Sequence, residues 1–237
     1  AIQGDAPAAL ADVDISLKLH PGAVPAVQWH ADLLAKTGHI EQALDELDDL
    51  RKQWPNRPEI LSQIGALQLA SGHLNRALEV YDHWLMLEPN NPSAHASRAE
   101  VRTKLGQEAG AVADYRAALA IDPHNSGVQN NLAWIMATSP NDQLRDGPRA
   151  VQLATAACES TKSAQASYLG TLAAAYAETS DFDAAIALST RAIERASPAQ
   201  REQLAKELSS YRAHKPWRGV AAMPADAAEV NRPKSKE

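Results

Sequence analysis

Apolar and small residues recur along the chain at helical spacing and are interrupted at regular intervals by glycine or proline. Leu61, Ile64 and Gly65, then Leu74, Ala77 and Tyr81, mark the inner faces of two successive helices, with Gly72 between them and Pro89 after them. Leu172, Ala173 and Tyr176, followed by Ala185 and Ile186, repeat the arrangement further on. Leu204, Leu208 and Tyr211, at spacings of four and three, predict a last helix with charge on its other face. Three ladders set the period: Pro21, Pro55, Pro89 and Pro123; Gly4, Gly38, Gly72 and Gly106; Ala9, Ala43, Ala77 and Ala111, each stepping by 34 residues. Each unit is predicted to be two antiparallel helices. Proline ends the second, because it lacks the N–H that continues the ladder and biases the preceding residue out of the helical region. Pro58-Glu59 and Pro92-Ser93 then open the next first helix.

A 34-residue period with glycine at one turn, a small residue five positions later and proline at the next turn resembles the tetratricopeptide repeat. The resemblance implies an all-α, right-handed α-solenoid of helix–turn–helix repeats with a C-terminal capping helix, and work by binding rather than by catalysis. In that register residues 1–23 are a partial repeat holding a second helix only, and 24–57, 58–91 and 92–125 are full repeats. Residues 126–165 form a repeat with an inserted loop at 139–148, since Ala150 stands five residues later than strict register allows; the stretch is similar to a variant common in bacterial proteins. Residues 166–199 return to form, although Ser180 and Ser197 replace the expected glycine and proline. Residues 200–213 are the capping helix, and 214–237, without periodicity, an unstructured tail.

Composition narrows the chemistry. Aromatic residues make up 5% of the chain, with a single phenylalanine, so close approach of alanine-rich helices replaces ring packing. A bulky residue at Ala43, Ala77 or Ala111 is then expected to overpack its contact by about 1–3 kcal/mol. The net charge of −6 divides into an acidic body and a tail, 212–237, whose six Lys/Arg outnumber three carboxylates. An acidic body lacks the footprint of a nucleic-acid binder, and no nucleic-acid partner is expected. No apolar run approaches the roughly 20 residues of a membrane span. The chain reads as soluble, while one cysteine, Cys158, leaves cytoplasm and periplasm equally open. No phosphate-binding glycine loop, nucleophile elbow or zinc-protease motif occurs, so neither enzymatic activity nor a cofactor is expected.

Within the family, first helices line a concave groove. The resemblance places Gln28, Trp29, Asp32, Lys36, Gln63, Glu100, Lys104, Asn130, Asn131 and Trp134 on it as the partner-binding residues, with Glu178 at an equivalent position. Trp29 and Trp134 either anchor a protein or peptide ligand or pack against the neighbouring repeat. A family subset grips C-terminal carboxylates with Lys, Asn and Arg, but here Gln28, Asp32, Gln63, Ser93 and Ser97 occupy those places. Without that positive charge, a neutral, apolar or partly basic peptide is the expected ligand. His39 and His73, one period apart, lack a supporting ligand set for zinc, and no metal site is expected. Cys158 reads as a buried small hydrophobe, and the Asp45, Glu46, Asp48 and Asp49 cluster as a solvated outer face. Asn141, Asp142 and Asp146 lack the spacing of a calcium loop and read as a turn closed by Asp146-Gly147.

Two alternatives remain open at this stage. Gly4 enters in mid-repeat, which suggests a docking or regulatory domain of a larger enzyme or membrane-tethered protein. An N-terminal end exposing Leu10 and Val13 without a partner helix suggests self-association, as in a structural subunit.

Overall fold

A computed structural model describes residues 6–19, 22–161 and 165–219. Among these residues the chain is an all-α solenoid of twelve helices, with a single turn of 3-10 helix and no strand. It divides into two compact units, Ala1–Val101 and Arg102–Glu237. The first holds α1 (Ala6–Leu19), α2 (Val24–Lys36), α3 (Ile40–Gln53), α4 (Pro58–Ala70), α5 (Leu74–Leu87) and most of α6 (Pro92–Lys104). The second holds α7 (Glu108–Ile121), α8 (Ser126–Thr138), α9 (Gly147–Ser160), α10 (Ala166–Glu178), α11 (Phe182–Arg195) and α12 (Pro198–Arg212). Consecutive helices pack as antiparallel neighbours, α2 on α3 and α4 on α5 in the first unit, α8 on α9 and α10 on α11 in the second. No helix among the described residues is long and apolar enough to cross a membrane.

The turns follow from one backbone device. Gly38, Gly72 and Gly106 sit in the left-handed region at φ of 87°, 76° and 72°. The next amide then reaches back to close the helix, as in His39 N to Leu34 O at 2.8 Å and His73 N to Gln68 O at 2.9 Å. Ser180 makes the same turn without glycine, at φ 66°, with Asp181 N bonded to Tyr176 O at 2.9 Å. A side chain there costs about 1–2 kcal/mol, while glycine loses about 0.5–1 kcal/mol more entropy on folding. Ser180→Gly, at an exposed position, is therefore expected to stabilise the chain by up to about 1 kcal/mol, a melting shift of roughly 2–4 °C. An unchanged or lowered melting temperature would count against this account.

Small residues set the helix spacing. Ala43, Ala77, Ala111, Ala150 and Ala185, on α3, α5, α7, α9 and α11, are completely buried. At Gly65 on α4 the fit is tightest: an added Cβ would lie 2.3 Å from Cε1 of Tyr81, a ring 1% exposed on α5.

Four features differ from expectation. Val13 is buried at 1% exposure, with α1 packed on α2, while Ile15 (57%) and Leu19 (70%) on the same helix are exposed. Glu46 is half-buried, its Oε2 2.6 Å from His30 Nδ1, so the acidic cluster of α3 is not wholly solvated. Asp146 does not close a turn; its side chain accepts from Arg149 N at 3.0 Å and caps α9. Residues 214–219, expected within an unstructured tail, pack back on the second unit, where His214 stacks on Phe182 with ring centroids 5.1 Å apart. Gly4 and the rest of the tail, 220–237, lie outside the described residues.

Candidate functional site

In the first unit the predicted groove residues come from α2, α4 and α6. Gln63 on α4 bridges to α2: its Nε2 donates to the Gln28 carbonyl at 2.7 Å and to Asp32 Oδ1 at 2.6 Å. The two bonds hold neighbouring first helices in one register and leave the Asp32 carboxylate exposed beside them. Trp29, adjacent in sequence, is 53% exposed, a large ring presented on a helix whose inward residues Ala31, Leu33 and Leu34 are buried. Lys36 projects from the last turn of α2 and is exposed. Glu100 is half-buried and lies near enough to Tyr81 that its charge, with burial of the ring as the larger cause, pushes the phenol's pKa upward. The face offers an exposed indole beside the Asp32 carboxylate, with the Lys36 ammonium at the end of the same helix.

In the second unit Lys104 is exposed, whereas Asn130 is 4% exposed and Trp134 1%. Trp134 therefore does not present its ring to a partner: α7, α9 and α10 all pack on α8, and every residue from Leu132 to Thr138 is buried. Asn130 Nδ2 donates weakly to Asn131 Oδ1 at 3.4 Å, and Asn131 Nδ2 to the Tyr115 hydroxyl at 3.4 Å. The asparagine pair thus organises the α7–α8 contact more than it faces outward. A cleft of about 660 Å³, lined in part by Arg102, Gly106, Glu108, Asn141 and Leu144, opens elsewhere in this unit. Its walls are tied by Arg102 to Asp114 at 2.7 Å and by the Ser139 hydroxyl donating to Glu108.

A polar cluster centres on Glu178, at the end of α10, a groove-equivalent position whose arginine partners the register does not name. Its Oε1 accepts from Arg145 Nε at 3.0 Å and its Oε2 is ion-paired with an Arg218 nitrogen at 2.7 Å, with its side chain only 13% exposed. Gly147 permits this approach, since a Cβ there would stand 2.9 Å from Thr179 Cγ2 and 3.2 Å from Glu178 Cγ. The signal available in sequence is slight: an arginine inside the inserted loop, and Lys215-Pro-Trp-Arg218 following the last helix.

Other candidate groups have local partners. His39 Nδ1 lies 3.0 Å from the Thr37 hydroxyl and His73 Nδ1 3.0 Å from Gln68 Oε1. Cys158 is buried, and burial pushes its thiol up to about 11, which keeps it protonated and poorly nucleophilic at neutral pH.

Residues 92–125 match the tetratricopeptide repeat family model. Several solved structures share the fold. MamA (41-end) from Desulfovibrio magneticus RS-1 aligns at 22% identity and a TM-score of 0.61, over 71% of this chain and 92% of that one. TTC0263, a thermophilic TPR protein of Thermus thermophilus, aligns at 19% identity and a TM-score of 0.57, over 81% of this chain and 100% of that one. YrrB, a TPR protein with an unusual peptide-binding site, aligns at 16% identity and a TM-score of 0.62, over 83% of this chain and 98% of that one. No curated protein sequence matches the chain.

Proposed function

We propose that this chain, being a tetratricopeptide-repeat protein, is a non-catalytic scaffold that takes a peptide or helix of a partner protein on its first-helix face. The observation that carries the reading is Trp29, 53% exposed on α2 beside the hydrogen-bonded Gln63–Asp32 pair. An aromatic ring costs little entropy to immobilise, and tryptophan is enriched among the residues that dominate binding energy. The surrounding backbone is already held by Gln63, so little ordering opposes association. Asp32 favours a partner with a neutral or basic rather than an acidic end.

The test compares the full chain, Trp29→Ala and Met86→Ala as bait in native lysate, followed by titration of the captured partner. Met86 is the control because it is still more exposed, at 73%, on the second helix α5. Loss of roughly 30-fold in affinity, about 2 kcal/mol, is expected for Trp29→Ala alone. Equal affinity of all three baits for every captured protein would remove Trp29 and this face from the reading.

A second reading has an observation of its own. Ile15 and Leu19, 57% and 70% exposed on α1, form an apolar end that a second copy could cover. Sedimentation of the chain and of an Ile15→Glu/Leu19→Glu variant decides it: a monomer at all concentrations in both removes the structural-subunit alternative.

A further inference from the structure

The C-terminal ends of α8 and α10, two first helices of the second unit, meet at a corner rich in acceptors. The last carbonyls of α8, at Ala137 and Thr138, lie beyond the reach of further helical N–H groups, and a helix C-terminus carries partial negative charge. Glu178 adds a largely buried carboxylate from α10. Arg145 occupies one of its oxygens and also donates to the Ser139 carbonyl at 2.9 Å. The other oxygen and the α8 carbonyls call for one more cation and a backbone donor.

The chain supplies both from its own C-terminal segment. An Arg218 nitrogen lies 2.7 Å from Glu178 Oε2 and 3.4 Å from the Ala137 carbonyl. Gly219 N donates to the Thr138 carbonyl at 3.2 Å, and the Thr138 hydroxyl, 2.8 Å from the Trp134 carbonyl of its own helix, also lies 3.2 Å from the Gly219 carbonyl. The residue after the arginine must be small, because a Cβ on Gly219 would come within 2.8 Å of Trp217 Nε1. The hold is light. Apart from the ion pair, the contacts of Arg218 and Gly219 with α8 measure 3.2–3.4 Å, and the Arg218 side chain stays 37% exposed. Such a contact persists because tethering gives the segment a millimolar effective concentration, not because each bond is strong.

We propose that this corner is a binding site for an extended partner segment carrying Arg-Gly after an aromatic residue, and that Lys215–Gly219 occupies it in the free protein as an internal stand-in. The proposal rests on reading the first helices as the binding surface, but it uses none of the residues of the Trp29 test. An incoming segment would form the same ion pair with Glu178 and the same backbone bond to Thr138, displacing its cis counterpart.

A fluorescein-labelled peptide spanning residues 213–221 is titrated into the full-length chain, an Arg218→Ala/Gly219→Pro variant, and that variant with Glu178→Gln added. The first pair of substitutions removes the guanidinium and the Gly219 N–H, and so opens the corner. The peptide is expected to bind the opened variant about tenfold more tightly than the natural chain, and the Glu178→Gln addition to return it to weak binding. Hydrogen exchange of α8 and α10, unchanged across the three proteins, establishes that the corner itself stays folded. Equal binding to all three, or none to a folded opened variant, overturns the proposal. Partner capture through Trp29 surviving that result would leave the scaffold reading standing, and its loss alone would leave the corner untouched.

Discussion

Gly65→Leu is expected to cost about 3 kcal/mol of stability, and Gly65→Ala about 1–2 kcal/mol. Two effects oppose each other at this position. Alanine is the better helix former by roughly 1 kcal/mol in a helix interior, so α4 alone would gain. The added Cβ, however, falls 2.3, 2.6 and 2.9 Å from three atoms of the Tyr81 ring. That ring is 1% exposed, fully enclosed, and tilted against Trp84 at a centroid distance of 6.2 Å, so it has little room to withdraw. A displacement well beyond a few tenths of an ångström is needed, and it must come from separation of α4 and α5. The clash therefore wins over propensity. Urea denaturation of Gly65→Ala, Tyr81→Leu and the double variant checks the mechanism. A smaller partner at position 81 should relieve the Gly65→Ala penalty, giving a favourable coupling of about 1 kcal/mol, whereas strict additivity would show the ring is not the obstacle. The consequence reaches function, because α4 also carries Gln63. Moving the helix outward lengthens the 2.6 Å bond to Asp32 and loosens the register of α2, where Trp29 sits.

Much of this architecture is legible in the ladders, for a physical reason. A turn that needs positive φ leaves glycine as the cheapest residue, so Gly38, Gly72 and Gly106 stand at equal intervals where the backbone requires them. A contact that needs helices close together leaves alanine, hence the completely buried Ala43, Ala77 and Ala111. Leu204, Leu208 and Tyr211 likewise fall on the buried stripe of α12, at 0–7% exposure. Ser180 shows the limit of such reading: it takes the same backbone conformation without the residue that announces it.

The site is less legible, because a groove position is defined by what stands opposite it. Trp29 and Trp134 share a residue type and a place on a first helix, yet one is 53% exposed and the other 1%. The difference goes with the next first helix: α10 packs extensively on α8, whereas α4 touches α2 only slightly. The Arg145–Glu178–Arg218 cluster joins three distant stretches of chain, and only the inserted loop and the return of 214–219 bring them together. Periodicity describes the repeats, and these residues lie where the repeats are interrupted or finished.

Glu207→Gln is expected to stabilise the C-terminal end at pH 8 by as much as about 3 kcal/mol, and to have little effect near pH 4.5. Glu207 lies on α12, fully buried, and burial pushes its carboxyl up to about 7 from an ordinary 4.5, while a hydrogen bond from Gln203 at 3.0 Å lowers it only in part. Its second oxygen and the Tyr211 hydroxyl are buried without hydrogen-bond partners among the described residues, and the Glu207 charge adds to the burial that drives the Tyr211 pKa upward. The folded chain thus holds this proton more tightly than the unfolded chain does. Stability is full below pH 4.5, falls as the pH rises through about 7, and is flat beyond. A gap from 4.5 to about 7, at about 1.4 kcal/mol per pH unit, corresponds to roughly 3 kcal/mol. Glutamine keeps an acceptor for Gln203 and never ionises, so it removes the pH-dependent part alone. Because α12 packs chiefly on α11 alone, the loss at high pH should appear as local opening rather than global unfolding. Hydrogen exchange at Leu204, Leu208 and Tyr211, comparing the two proteins at the same pH, reads it directly: protection in the variant should exceed that of the natural chain by about 100-fold at pH 8 and match it near pH 4.5. Equal protection at both pH values would mean that Glu207 titrates as an ordinary surface carboxylate and that α12 packs on α11 without a pH-dependent weakness.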